Sequence, residues 1–350
     1  MIPISKLYYQ RILILLAFSL LCSCGWFGGD KIQVTSRNFG EEIDLQQNLS
    51  FTFNNDLVSD SLLDKWVETE YIQFTPAVKG KYKWASRNVL MFSPTSGFKP
   101  STDYKAELTK KLGEGAEKKI SLGDEHEFAF HTPYLRLVST DVFWAMNQRG
   151  VAEVRMNMNF NYKVNPADLV PLTKVQVDKQ QAAYTVNTVD VSESVQVAVE
   201  QPKGANYNDK PLDIVIAKGL RLPESDYVAN EMKFEAGIPS REEFRIVQAT
   251  GEMDGEEAFI HIYTNQEVGS NEAQIKAALK MTPQVNVRIE KLDAGFIIRG
   301  DYQPNENYLV SLSKNLKGIF GGTLTENFEQ SVAFADTGLP APLVEIGILH

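Results

Sequence analysis

Leu49, Phe51 and Phe53 alternate with Ser50, Thr52 and Asn54, and this two-residue period recurs along the chain. Val151, Val154, Met156, Met158 and Phe160 mark a second such stretch. Phe259, His261 and Tyr263, set against Ile260 and Ile262, mark a third. Alternation of this kind sends successive side chains to opposite faces of an extended strand. The three stretches begin near residues 49, 152 and 257, so the pattern repeats after slightly more than one hundred residues.

The first and third copies run in parallel. In the first, a strand at 49–53 is followed by a short amphipathic stretch, Leu62-Leu63-Asp64-Lys65-Trp66-Val67, and then Phe74-Thr75-Pro76. In the third, a strand at 258–263 is followed by a helical stretch from about Asn271 to Lys280, and then Met281-Thr282-Pro283. Ile275, Ala278 and Leu279 share one helical face there, with Ser270 or Asn271 as the N-cap. Val89-Leu90-Met91-Phe92 answers to Gly295-Phe296-Ile297-Ile298, and the Pro100 to Tyr104 segment to Pro304 through Tyr308. Both copies close on alternating strands, at 127–130 and 330–334. The middle copy is looser: Asn165 to Val170 takes the helical place, and further strands fall at 175–177, 195–199 and 212–216.

Several short strands, frequent turn residues and one helical turn per hundred residues are the signature of an immunoglobulin-like β-sandwich. The regular strand–helix alternation of a catalytic α/β domain is absent. The expected architecture is therefore all-β, with tandem immunoglobulin-like sandwiches at 46–137, 138–245 and 246–337. Residues 24–45 form a tether and first strand entry. Residues 338–350, a proline-flanked strand, read as the start of a following domain, because a strand without partners exposes unpaired backbone groups.

The N-terminus carries a different signal. Lys6 and Arg11 precede the apolar run 12–22, which is of signal-peptide length and short of the ~20 residues of a membrane span. Leu21-Cys22-Ser23-Cys24 resembles the lipobox of bacterial lipoproteins. That resemblance implies cleavage of residues 1–23 between Ser23 and Cys24, and lipidation of Cys24. Acyl chains contribute about 0.8 kcal/mol per buried CH₂, enough in combination to anchor a protein stably. Cys22 would leave with the signal, so the mature chain would hold no free thiol. Gly25 follows the lipidated position, and by the same resemblance the destination is the outer membrane, facing the periplasm in preference to the cell surface.

Thr75-Pro76, Phe92-Ser93-Pro94, Phe98-Lys99-Pro100, Thr102 and Tyr104 resemble the motif of bacterial immunoglobulin-like modules, with Phe98 where those modules usually have Leu. Gly318-Ile319-Phe320-Gly321-Gly322 occupies the place of their Gly-x-x-Asp loop and lacks the Asp. A lipoprotein signal followed by such modules is similar to the N-terminal region of bacterial alpha-2-macroglobulin-like proteins of the Bacteroides type. The resemblance implies macroglobulin-like sandwiches acting as scaffold and spacer for a protein that entraps proteases. The bait region and Cys-x-Glu-Gln thioester of that family lie far downstream, and no such thioester motif occurs here.

Other functions find little material. The net charge of −10 opposes phosphate binding, so no nucleic-acid partner is expected. His126 and His131 are spaced by five on a strand, not by four on a helix, and do not make a zinc pair. Glu252, Asp254, Glu256 and Glu257 cluster around Gly251 and Gly255 without EF-hand spacing, and read as a solvated hairpin rather than a calcium loop. His261 reads as a packed or edge histidine. Lys79, Lys81 and Lys83 alternate with Gly80, Tyr82 and Trp84, as edge lysines on a solvated face. No phosphate loop or nucleophile elbow occurs, so no catalytic residue, metal or cofactor is assigned. The alternative is a free-standing lipoprotein that binds glycan or protein through exposed aromatics, with Trp66, Trp84 and Trp144 as candidates.

Overall fold

The computed structural model describes residues 31–334 apart from 115, 117–119, 255–256 and 304–305. The leader with Ser23 and Cys24, the tether at 25–30 and the segment after 334 lie outside the described residues. The chain is all-β, a tandem of immunoglobulin-like sandwiches, and it divides into two compact units. The first runs to Tyr134 and takes in Pro223–Tyr227; the second comprises Leu135–Leu222 and the chain from Val228 onward.

The first unit pairs two sheets over an aromatic core. One has five strands in the order Val34–Arg37, Leu49–Phe53, Val89–Pro94, Gly80–Ser86, Trp66–Val67. The other has three, Glu127–His131, Asp103–Leu108, Ile72–Thr75. Strict alternation drives this arrangement: Leu49, Phe51 and Phe53 are buried while Ser50 and Thr52 stay partly exposed. Phe74, Phe92, Phe98, Tyr104 and Phe130 meet between the sheets, with Tyr104 stacked on Phe130 at 5.4 Å between centroids. The amphipathic stretch after the first strand is a single 3-10 turn, Asp60–Leu62, followed by the two-residue strand Trp66–Val67. His131, Tyr134 and Tyr227 form a column of stacked rings spaced 4.3 and 4.4 Å, and Ser225 Oγ donates to the Ser101 carbonyl. Burial and the Asp103 carboxylate that accepts from its hydroxyl push the Tyr134 phenol up to about 12.

The second unit holds the middle and third sandwiches. The middle one stacks Leu137–Met146, Ala152–Val164, Ser192–Val199, Tyr184–Val186 against Gln180–Gln181, Thr173–Val177, Pro211–Ile216, Met232–Gly237. Its helical place is filled by Pro166–Leu169, capped by the Asn165 side chain, which accepts from Ala167 N at 3.1 Å. The third stacks Ile246–Asp254, Glu257–Thr264, Gly295–Gly300, Val287–Leu292 against Leu279–Thr282, Asn307–Leu312, Phe328–Ala333. Its helix, Glu272–Ala278, starts at Asn271 with a reciprocal capping box to Gln274, and buries Ile275. Leu279 does not extend the helix; it opens the strand Leu279–Thr282.

The repeat between the first and third copies extends to atomic detail. The Tyr104 hydroxyl accepts from the backbone N–H of Lys99 at 2.8 Å, and the Tyr308 hydroxyl from that of Gln303 at 2.7 Å, five residues upstream in both cases. Thr75–Pro76 and Thr282–Pro283 are both cis. Among the described residues, no helix is long and apolar enough to cross a membrane.

Candidate functional site

Of the three tryptophans singled out from sequence, two are core. Trp84 is 1% exposed and Trp144 0%, whereas Trp66 is 48% exposed. The difference follows from strand register. Tyr82 and Trp84 share the inward face of Gly80–Ser86, and Lys81 and Lys83 the outward one. Trp66 pairs directly with Lys83, so it too faces outward, with the Lys83 ammonium 5.2 Å from its ring centroid. Gly80–Ser86 is not an edge strand, as its lysines suggested. Trp66–Val67 pairs on its outer side and Val89–Pro94 on the other, so the edge is displaced by one short strand.

Trp144 instead builds the junction between the middle and third sandwiches inside the second unit. Its indole N–H donates to the Pro239 carbonyl at 2.6 Å, its backbone N–H to Asn265 O, and its carbonyl accepts from Glu267 N. It forms a parallel bridge with Gln266, and Arg241 lies over its ring at 5.6 Å. Gln266 is fully buried, its amide donating to Arg241 O and Glu243 O. Phe143, Ala145 and Ala294 close a small apolar cluster beside it. Arg155 adds ion pairs to Glu153 at 2.8 Å and Asp293 at 2.7 Å.

The same junction holds a polar cluster. His261 Nδ1 lies 3.4 Å from Glu252 Oε1, the ring stacks on Tyr263 at 3.7 Å, and its Nε2 is buried with no hydrogen-bond partner. Thr250 and Tyr263 hydroxyls donate to the same Glu252 oxygen at 2.8 and 2.9 Å. Burial works to raise the Glu252 carboxyl, but His261 and these donors outweigh it and hold it below the usual range. Asp141 of the middle sandwich is raised: burial dominates over the Asn159 amide at 2.9 Å and the charge of His261. Burial and the neighbouring carboxylates also push the Tyr263 phenol up.

On the paired strands that carry this acidic segment, the carboxylates of Glu252 and Glu257 part company. Glu252 turns to His261, whereas Glu257 meets Arg299 at 3.4 Å. Glu252 is therefore not a solvated loop acid. The signal for this was its register with Phe259, two residues from His261. Arg299, also paired with Glu290 at 3.0 Å, lines an open recess of ≈ 380 Å³ together with Arg288, Asn286 and Asp301.

His126 and His131 are not brought together. His126 Nδ1 faces the carbonyls of Gly123 and Asp124, and His131 packs on Tyr134. One donor atom each of Glu107, His126 and Glu127 lies within 4.8 Å of the others, a grouping invisible in sequence because Glu107 enters as the cross-strand partner of Glu127. Lys105 occupies the same place, 3.4 Å from Glu107 and 3.1 Å from Glu127.

Comparison with known proteins bears on the modules. Residues 32–132 match the bacterial Ig-like domain family. No curated protein matches the chain. Among solved structures, an L,D-transpeptidase from Mycobacterium tuberculosis aligns at 11% identity and a TM-score of 0.20, over 58% of this chain and 75% of that one. The SGBP-B protein of a Bacteroides ovatus mixed-linkage glucan utilization locus, in complex with a mixed-linkage heptasaccharide, aligns at 12% identity and a TM-score of 0.26, over 86% of this chain and 66% of that one. Residues 32–132 thus match a bacterial Ig-like domain, and the chain as a whole has the all-β architecture of tandem Ig-like sandwiches.

Proposed function

We propose that the chain is the lipid-anchored scaffold of an alpha-2-macroglobulin-like protein that entraps proteases. Cys24 carries the acyl chains at the periplasmic face of the outer membrane, and the Ig-like modules hold the trapping parts off the bilayer. The junction at Trp144 carries this reading. A buried indole, a main-chain bridge and a buried glutamine stiffen the second unit, as a spacer requires, and a pair of loosely strung binding domains has no need of them. Replacing Cys24 with Ala is expected to release the protein from the membrane fraction into the soluble one. A membrane pool unchanged by Cys24→Ala removes the anchor. Intact mass of the membrane-extracted protein tests the rest: a mass several times that of this chain, with peptides continuing past His350, is expected of a macroglobulin.

A second reading, a lipoprotein whose modules bind glycan or protein, is favoured by the exposure of Trp66. A pull-down that enriches proteases supports the scaffold, and one that enriches glycans or matrix proteins supports this alternative.

A further inference from the structure

The outward face of the five-stranded sheet carries its side chains in register. Trp66 stands opposite Lys83, Lys83 opposite Met91, and Met91 opposite Ser50. Beside this row, Lys81 stands opposite Ser93. Neighbouring strands are about 4.8 Å apart, so the Trp66 row crosses four strands and about 14 Å. The orientation is fixed from beneath: Tyr82, Trp84, Leu90, Phe92, Leu49 and Phe51 are all buried, and a slip of one residue would bury the lysines instead.

Two features of this face are unusual for a solvated sheet surface. Trp is highly buried on average, yet Trp66 is half exposed and presents an indole beside the Lys83 ammonium, in a row that runs on through Met91 to Ser50. The chain is acidic overall, yet Lys79 and Lys81 have no carboxylate partner among the described residues. Lys83 reaches one carboxylate, Asp64 at 3.9 Å, and its ammonium lies 5.2 Å from the Trp66 ring centroid, so the amine and the indole already form one recognition unit. A cationic face on an anionic protein concentrates anions locally.

We propose that this face binds an acidic polysaccharide, a uronic-acid chain, with a pyranose ring stacked on Trp66 and its carboxylates on Lys81, Lys83 and Lys79. The proposal rests on the glycan-binding reading above and adds the ligand class and the site. An aromatic face with flanking amines and hydroxyls suits a sugar ring, which has apolar C–H faces and polar edges. A peptide strand would add at the sheet edge, but Trp66–Val67 offers only two residues for pairing. A nucleic acid would call for more phosphate contacts than three lysines supply.

Titration calorimetry of the full chain with hexagalacturonate, with cellohexaose and with inorganic polyphosphate tests this. Hexagalacturonate is expected to bind, with cellohexaose about tenfold weaker or worse. Trp66→Ala and the double variant Lys81→Gln, Lys83→Gln are each expected to weaken hexagalacturonate binding about tenfold, the second also flattening its salt dependence. Trp66→Phe keeps a ring and should retain most of the affinity, which separates stacking from misfolding. The proposal is overturned by a wild-type chain that does not bind hexagalacturonate, by equal binding of cellohexaose, or by binding indifferent to Trp66→Ala. Polyphosphate bound as tightly and independently of Trp66 would mean simple polyanion adsorption, and overturns it too. If hexagalacturonate fails while a glycan array shows binding that survives Trp66→Ala, this site falls and the broader glycan reading stands. An empty array together with an empty protein pull-down removes both.

Discussion

Asp141 and Glu252 approach the same histidine from two sandwiches and are displaced in opposite directions. Burial raises Asp141, whereas His261 and two hydroxyl donors lower Glu252 against its own burial. The signs of their contributions to stability are opposed. Glu252 stabilises the fold above the ordinary carboxylate pKa and loses that contribution as pH falls through its lowered value. Asp141 stabilises at acid pH, where it is protonated, and its contribution is lost as pH rises through its raised value. Asp141→Asn keeps a carbonyl to accept from the Asn159 amide and removes the desolvated charge. It is therefore expected to raise the melting temperature of the second unit at neutral pH. The gain should fade as the pH drops through the raised pKa of Asp141 toward the ordinary carboxylate range. Thermal melts at pH 7.5 and pH 4 read the difference, and a gain of equal size at both would assign the effect to something other than charge.

The helix Glu272–Ala278 is only two turns long, so its start carries much of its stability. The Asn271 side chain accepts from Gln274 N at 2.9 Å, and the Gln274 side chain accepts from Asn271 N at 2.9 Å. Asn271→Ala should cost about 1 kcal/mol in chemical denaturation, with Asn271→Ser restoring most of it. An effect below a few tenths would mean that Ile275 packing alone holds the helix. This element was legible in the sequence, its cap narrowed to Ser270 or Asn271 and its end placed two residues late, as were the strands at 49–53, 89–92 and 295–298, because local period and cap chemistry specify them. What lay beyond reach was pairing over distance. Trp66 read as part of an amphipathic turn because nothing local announces that two residues will dock on Lys83. Glu107 joins His126 and Glu127, and Asp141 faces His261, only through register between strands far apart in sequence. The exposed Trp66 and buried Trp144 could not be told apart for the same reason.

At the scale of the molecule, the two units should unfold as separate calorimetric transitions, since each has its own hydrophobic core. Trp144→Ala deletes a fully buried side chain and leaves the Pro239 carbonyl without its indole donor. A loss of about 3–5 kcal/mol is expected, confined to the transition of the second unit. Movement of both transitions together would show one cooperative block instead of two.

The bridge between Trp144 and Gln266 also bears on how such a chain can be rearranged by recombination. A gene break between the middle and third sandwiches would leave the Trp144 indole facing solvent on one product, the Gln266 amide on the other, and a severed backbone bridge on both. Those two sandwiches are therefore expected to be inherited as one cassette. Insertions and swaps are expected to accumulate at surface hairpin tips such as 189–191, where Val189 and Val191 already stand exposed, beyond the bonds that tie Asn187 and Thr188 to Gln196.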